Sequence, residues 1–134
     1  MGGLLMAEPY VLVVEDDPHV LTLVATRLED AGYRVTTAID AWQEVVQTQG
    51  LKVGLIISDI QMPGVGTGVD ALKCLRALPN VSPLLPVIFI TGMNLEEARR
   101  LIPPDAKTRL VGKPIDFNEL RIAIKELTGL DRPL

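Results

Sequence analysis

Short apolar runs alternate along this chain with longer segments in which apolar residues recur every three or four positions. Short runs rich in Val, Ile and Leu are typical of buried strands, and the three-to-four spacing is typical of amphipathic helices. The predicted strands are 10–14, 34–38, 53–58, 86–90 and 108–111. The predicted helices are 18–31, 41–49, 68–78, 94–102 and 116–128. This alternation of strand and helix predicts an α/β fold with a parallel sheet.

The ends of several predicted helices carry residues that favour helix termini. Gly32 follows the first helix, where a left-handed residue commonly closes a helix. Asn94 with Glu97 forms an N-terminal capping pattern for the fourth helix, and Pro103-Pro104 ends that helix after about two turns. The fourth helix is therefore expected to be short.

The order of the strands decides which loops meet. We expect a doubly wound (βα)5 sheet with right-handed crossovers and the order 2-1-3-4-5, a flavodoxin-like three-layer sandwich. The first and third strands are then neighbours at the point where the winding reverses, and ligands bind at the carboxyl ends of strands beside such a point. The chemistry of this chain is therefore expected at its strand ends.

Composition limits the size and the partners of the protein. The 134 residues, 48% of them hydrophobic, are enough for one compact domain. We expect that domain at 9–129, after a flexible N-terminal segment at 1–8 and before a C-terminal tail at 130–134. The net charge of −4 argues against direct binding of nucleic acid.

The cellular compartment of the protein is indicated by three features of the sequence. Cys74 is the single cysteine and has no intrachain disulfide partner. The first seven residues are too short and uncharged for a signal peptide, and no apolar run approaches the length of a membrane span. We therefore expect a cytoplasmic protein that does not bind membranes.

Acids, a hydroxyl and an amine follow the predicted strands. They are Glu15, Asp16 and Asp17 after the first strand, Asp59 after the third, Thr91 after the fourth and Lys113 after the fifth. Clustered carboxylates stay ionised only when positive charge holds them. An all-oxygen site suits Mg²⁺, whereas zinc would favour His or Cys, and His19 is the only histidine. We interpret His19 as a surface residue and Asp17, which precedes Pro18, as the cap of the first helix.

These residues, taken together, resemble the receiver domains of two-component response regulators, including the chemotaxis regulators. The resemblance spans essentially the whole chain. It is carried by Val13-Val14-Glu15-Asp16-Asp17, Asp59-Ile60-Gln61-Met62-Pro63, Thr91-Gly92 and Lys113-Pro114.

The resemblance implies a role for each acid. Asp59 would accept a phosphoryl group from a phosphohistidine on a sensor kinase or phosphotransfer protein, since a carboxylate is a competent nucleophile toward phosphorus. Asp16, Asp59 and the backbone carbonyl of Gln61 would coordinate Mg²⁺, and Glu15 would hold a metal-bound water. The domain would not be an ordinary enzyme, although it would catalyse its own phosphorylation and dephosphorylation.

The resemblance also implies how the phosphoryl group is sensed. Lys113 would pair with phosphoryl oxygens, and Thr91 would move its hydroxyl toward one of them. Met93, with Gln61, would flank the attack path and tune the lifetime of the phosphoryl group. The peptide bond before Pro114 is expected to be cis, which orients the lysine.

Two departures from the family pattern concern signal output. Leu110 stands where the family usually carries Tyr or Phe, and the loop 64–68 is glycine-rich and longer than usual. We predict that the face made by the fourth helix, the fifth strand and the fifth helix still carries output, through a shift between two loop states instead of an aromatic rotation. The downstream protein target is not indicated by the sequence, and a second copy of the chain is a further candidate partner.

Other classes share parts of this pattern. A flavodoxin-like FMN carrier needs a phosphate cradle after the first strand, where this chain has three acids. A haloacid-dehalogenase-like phosphatase needs an acid two residues after its nucleophile, where this chain has Gln61. A receiver-like binding module that is never phosphorylated stays open as an alternative. Trp42 and Cys74 are interpreted as packing residues without a role in the chemistry.

Overall fold

The computed structural model describes residues 8–61 and 67–134. Five parallel strands form one sheet in the order β2-β1-β3-β4-β5, as predicted. The strands are β1 (Tyr10–Val14), β2 (Val35–Ala38), β3 (Val53–Asp59), β4 (Val87–Thr91) and β5 (Thr108–Gly112). The helices are α1 (Pro18–Asp30), α2 (Ala41–Gly50), α3 (Gly68–Arg76), α4 (Leu95–Leu101) and α5 (Phe117–Thr128).

The register of the sheet brings the carboxyl ends of the strands to one edge. Val14 pairs with both Ala38 and Ser58 across the two ladders of β1. Asp59 pairs with Ile90, and Thr91 pairs with the last residue of β5. Residues that end β1, β3, β4 and β5 therefore meet at the same edge, where the sequence predicted the chemistry.

Two apolar cores lie on opposite faces of the sheet. Alternate residues of β1 contribute to each of them: Val11 and Val13 belong to one core, and Leu12 and Val14 to the other. Helices α1 and α5 supply the first core, and α3 supplies the second. Strands that are buried on both faces read as continuous apolar runs, which explains why the sequence pattern located them closely.

Three strands extend one residue further than predicted. β3 includes Asp59, β4 includes Thr91, and β5 includes Gly112. The sheet ladder continues because Asp59 and Thr91 each have a partner on the neighbouring strand. Two of the predicted functional side chains are thus anchored in the sheet itself, each with a backbone partner on a neighbouring strand.

The predicted helix ends are confirmed. Asp17 caps α1, and its Oδ1 accepts a hydrogen bond of 2.9 Å from the backbone N–H of His19, which is exposed. Asn94 caps α4, which has only seven residues. Gly32 adopts a left-handed φ of 92°, as a residue beyond a helix end commonly does.

The packing role predicted for Trp42 and Cys74 is wrong. Trp42 is 74% exposed, and Cys74 also lies on the surface. In α2 the buried position belongs instead to Glu44, so the aromatic ring points outward. Helical spacing alone could not decide which side of this short helix faces the sheet.

The residues after α5 contact the start of the described chain. Arg132 donates hydrogen bonds to the Glu8 carboxylate at 2.7 Å and to the Gly32 carbonyl at 2.9 Å. Its guanidinium also lies 4.5 Å from the ring centre of Tyr33. Within the described ranges, no helix is both long enough and apolar enough to cross a membrane.

We expect that Gly68→Ala destabilises the fold. A Cβ at Gly68 would overlap the carbonyl oxygen of Asp59 and lie 3.0 Å from Ser58 Oγ. Overpacking of this kind costs about 1–3 kcal/mol, which urea unfolding followed by circular dichroism measures. Gly50→Ala is the matched control, because a Cβ there meets no atom within 4 Å. Equal stability of the two variants would contradict the close approach at Gly68.

Candidate functional site

Four strands deliver the predicted site residues to one edge of the sheet. Glu15 directly follows β1, Asp59 closes β3, Thr91 closes β4, and Lys113 directly follows β5. Glu15 and Asp59 are only 1% and 5% exposed, whereas Asp16 is open to solvent. The structure therefore brings together a buried pair of acids with one exposed acid beside them.

Lys113 connects the two buried acids. Its Nζ lies 2.7 Å from Asp59 Oδ2 and 2.9 Å from Glu15 Oε1. Burial lowers the pKa of Lys113, but the hydrogen bonds to Asp59 and Glu15 outweigh this effect and hold the pKa above its usual value. The lysine is therefore a fixed positive charge at the end of the central strand.

Glu15 keeps one oxygen without a partner. Among the described residues, no group donates a hydrogen bond to its buried Oε2. Burial, followed by the hydrogen bond with Asp59, raises the pKa of Glu15 to about 7, although Lys113 opposes this rise. A buried acceptor that lacks a donor is unfavourable, so this carboxylate is suited to a cation.

The backbone after β3 fixes the other oxygen of Asp59. Asp59 Oδ1 accepts a hydrogen bond of 2.9 Å from the N–H of Gln61. The Ile60 carbonyl then accepts one of 2.9 Å from Gly68, at the start of α3. Residues 62–66, which include Met62, Pro63 and most of the glycine-rich loop, lie outside the described residues.

Three carboxylates at this edge fit a divalent cation. Glu15, Asp16 and Asp59 each offer an oxygen, and these oxygens lie within 4.8 Å of one another. One ammonium cannot balance three carboxylates, and their oxygens are the ligands that Mg²⁺ prefers. The exposure of Asp16 leaves room for the waters that Mg²⁺ usually keeps.

Thr91 lies beside this cluster with its hydroxyl engaged locally. Thr91 is fully buried, and its Oγ1 accepts a hydrogen bond of 3.0 Å from the N–H of Met93. Its carbonyl accepts one of 2.7 Å from the N–H of Lys113, whose peptide bond with Pro114 is cis, as predicted. Leu110 and Met93 are partly buried and pack against the same core. Thr91 is thus joined to Met93 by a hydrogen bond, and Met93 packs against the same core as Leu110.

The sequence analysis did not single out two residues next to Asp59. Gly68 approaches the Asp59 carbonyl closely, and the Ser58 hydroxyl donates a hydrogen bond of 2.9 Å to that carbonyl. A polar side chain in an otherwise aliphatic strand is the signal that could have identified Ser58. Gly68 carries no comparable signal, because only the folded backbone shows the approach.

Residues 11–125 match the response regulator receiver domain family. The chain belongs to this family. The match covers the whole sheet except the first residue of β1, and it extends into α5 as far as Lys125. The family resemblance noted in the sequence is thus confirmed.

Two relatives show the proteins in which similar receiver domains occur. The CAI-1 autoinducer sensor kinase/phosphatase CqsS of Vibrio cholerae is 30% identical over 113 residues, which are 84% of this chain and 16% of that protein. The sensor protein GacS of Pseudomonas syringae is 31% identical over 124 residues, 91% of this chain and 14% of that protein. The chain spans less than a fifth of the length of each relative.

Solved receiver domains share the fold. One is the receiver domain of the sensor histidine kinase PA1611 from Pseudomonas aeruginosa, with a magnesium ion coordinated in its active site cleft. It is 28% identical with a TM-score of 0.79, and the match covers 92% of this chain and 100% of that one. The chemotaxis response regulator CheY4 of Vibrio cholerae is 27% identical with a TM-score of 0.77, over 90% of this chain and 99% of that one.

We expect that Asp16→Asn weakens Mg²⁺ binding at least about tenfold, or ~1.4 kcal/mol, because it removes one anionic ligand. Isothermal titration calorimetry with MgCl₂ at constant ionic strength measures the dissociation constant. Asp17→Asn is the matched control, since Asn caps a helix as well as Asp and residue 17 already serves α1. Equal dissociation constants for the two variants would exclude Asp16 from the site.

Proposed function

We propose that this receiver domain accepts a phosphoryl group on Asp59 with Mg²⁺ as cofactor and passes the signal to another protein. The observation that carries the proposal is the buried Asp59 carboxylate at the end of the central strand, with Lys113 Nζ 2.7 Å away and two further acids beside it. The donor is a phosphohistidine of a histidine kinase or of a phosphotransfer protein, as in two-component signalling.

Asp59 Oδ2 is the attacking atom in this proposal. It forms the new O–P bond while the P–N bond of the phosphohistidine breaks, and the released imidazole takes up a proton. Oδ1 stays bonded to the Gln61 N–H, so the carboxylate keeps its orientation. Lys113 passes from Asp59 to a phosphoryl oxygen that lies within its reach, which stabilises the transferred charge.

Glu15, Asp16, Asp59 and the backbone carbonyl of Gln61 would hold Mg²⁺, which supplies positive charge to the phosphoryl oxygens. The unpartnered Glu15 Oε2 supports this assignment. The magnesium ion in the cleft of the PA1611 receiver domain supports it from a related protein. Glu15 would act through a metal-bound water, while Asp16 faces solvent and would bind directly.

Self-catalysed hydrolysis of the acyl phosphate completes the cycle. Met93 follows β4 and Gln61 follows β3, and both side chains would limit the access of water to the phosphorus. The Thr91 hydroxyl would exchange its contact with Met93 for a phosphoryl oxygen. This exchange makes β4 the element that reports phosphorylation.

The output surface would be the face formed by α4, β5 and α5. Leu95 and Leu101 on α4 and Ile122 on α5 are exposed apolar side chains. Leu110 on β5 packs against the same core as Met93, so a movement at Thr91 reaches this face through packed side chains. The short α4 favours a shift between two backbone states over rotation of a single side chain.

Partners and location follow from this function. We assign residues 9–129 to the receiver unit, with 1–8 and 130–134 outside it, and place the protein in the cytoplasm with its kinase. Its partners are the phosphoryl donor and an unidentified downstream protein, and a homodimer is a further candidate. The net charge of −4 argues against nucleic acid as a direct partner.

We expect that acetyl phosphate and Mg²⁺ add one phosphoryl group to the wild-type protein, as measured by intact mass. Asp59→Asn removes the nucleophile and should give no adduct, because the amide is not a competent acceptor. Asp17→Asn should be modified like the wild type. An adduct of equal yield on Asp59→Asn, or none on the wild type, contradicts the proposal.

A second expectation concerns the output face. Beryllofluoride should change the NMR shifts and exchange of backbone amides in α4, β5 and α5 of the wild-type protein. In Thr91→Ala these changes should shrink while those around Asp59 persist, because the hydroxyl that senses the phosphoryl mimic is gone. Unchanged α4, β5 and α5 signals in the bound wild type would rule out this face as the output surface.

A further inference from the structure

A second buried acid lies outside the site described above. Glu44 lies in α2 and is 1% exposed, although α2 carries Trp42 and Val46 on its open side. Among the described residues, nothing donates a hydrogen bond to Glu44 Oε1. A carboxylate in such a place is unfavourable, whereas a neutral carboxyl group is tolerated.

Burial has the largest effect on the pKa of Glu44. It raises the pKa to about 7, and a hydrogen bond from Ser58 opposes the rise. Helix α2 packs on β1, β2 and α3. The ionisable residues on those three elements are Tyr10, Asp70, Lys73, Cys74 and Arg76. None of these, and neither Glu15 nor Asp59, is among the causes of the shift, which leaves burial and Ser58 as its sources.

Ser58 stands between Glu44 and the backbone of Asp59. Its hydroxyl donates a hydrogen bond of 2.9 Å to the Asp59 carbonyl and also lies within reach of the Glu44 carboxylate. A hydroxyl has only one proton to donate, so the two acceptors compete for it.

The Asp59 carbonyl is a sensitive place for such competition. It accepts a hydrogen bond from Ser58. It also lies so close to Gly68 that a Cβ at position 68 would overlap it. Gly68 begins α3, and its N–H donates a hydrogen bond to the Ile60 carbonyl. The Asp59 carbonyl therefore lies beside both Ile60, which follows the acceptor, and the start of α3.

We propose that Glu44 and Ser58 form a buried hydrogen-bond relay that positions the backbone of Asp59 and so makes its phosphorylation pH-dependent. This inference rests on the proposed function of Asp59. With Glu44 protonated, its O–H donates to Ser58 Oγ, and Ser58 donates to the Asp59 carbonyl. With Glu44 ionised, Ser58 donates to the carboxylate, and the Asp59 carbonyl loses that donor. Glu44 and Ser58 are positioning residues, because neither touches the transferred phosphoryl group.

The sign of the effect follows from the raised pKa. The folded-state pKa of about 7 lies above the ordinary value of 4.5, so the folded protein holds the proton more tightly than the unfolded chain. The stability supplied by this site is complete below pH 4.5 and is lost as the pH rises through 7. The loss of one hydrogen bond at the Asp59 carbonyl over the same interval should slow phosphorylation about fivefold.

NMR titration of the 13C-labelled Asp59 carbonyl and the Gly68 amide tests the relay between pH 5.5 and 8.5. The wild type should show a larger step with a midpoint of about 7 than Glu44→Gln does, because the amide mimics the protonated acid at every pH. Glu15, whose pKa is also about 7, is present in both proteins, so the difference isolates Glu44. An identical step in both proteins overturns the proposal.

Phosphorylation rates with acetyl phosphate supply the functional arm. Between pH 6 and pH 8.5 the phosphorylation rate should fall less in Glu44→Gln than in the wild type. Ser58→Ala should be slow at both pH values. A merely structural role for Glu44 predicts a uniform change without a change in the pH profile, and that result would refute the relay. The NMR titration does not require phosphorylation. If the wild type forms no phosphoryl adduct, the proposed function is overturned, and the NMR titration still decides whether the relay exists.

A second variant tests the proton site even if Glu44→Gln fails to fold. In Glu15→Gln, which keeps Glu44, the side-chain carboxyl spectrum should contain one glutamate with a midpoint near 7. If every glutamate in that protein titrates near the ordinary 4.5, the proton site does not exist.

Discussion

The repulsion among carboxylates at one edge of the sheet is the constraint on which the rest of the structure depends. Asp59 and Glu15 are both buried, and Lys113 reaches both of them from the far side of β4. The lysine therefore joins β5 to the middle of the sheet through charge, in addition to the backbone ladder. A divalent cation would relieve the same repulsion, so the cation and the lysine both neutralise these carboxylates.

Much of this arrangement was predictable from the sequence, because strand ends in a parallel sheet are set by simple patterns. Asp59 could be placed since an aliphatic run ends on it, and Asp17 could be separated from Asp16 by the proline that follows. The strand order 2-1-3-4-5 was expected because it is a common order of doubly wound sheets with right-handed crossovers. Asp17 as a helix cap and the short α4 were correct for the same reason: local chemistry determines them.

Other features depend on packing that no local pattern encodes. Trp42 was predicted to be a packing residue, yet it is exposed, and the buried residue of α2 is Glu44. The choice depends on which side of α2 meets the sheet, and that side accepts a carboxyl group beside Ser58 while the indole stays in solvent. The shared contact of Lys113 with two acids, and the close approach of Gly68 to Asp59, likewise emerge only when four separate segments are brought together.

Arg132 links two distant parts of the chain at the edge of the sheet opposite the acids. It joins Glu8, which precedes β1, to the Gly32 carbonyl, which precedes β2. Both ends of the receiver fold are thus held together at the amino edge. The same cross-link closes the amino edge with charge, so each edge of the sheet is held by one cation that joins separate segments of the chain.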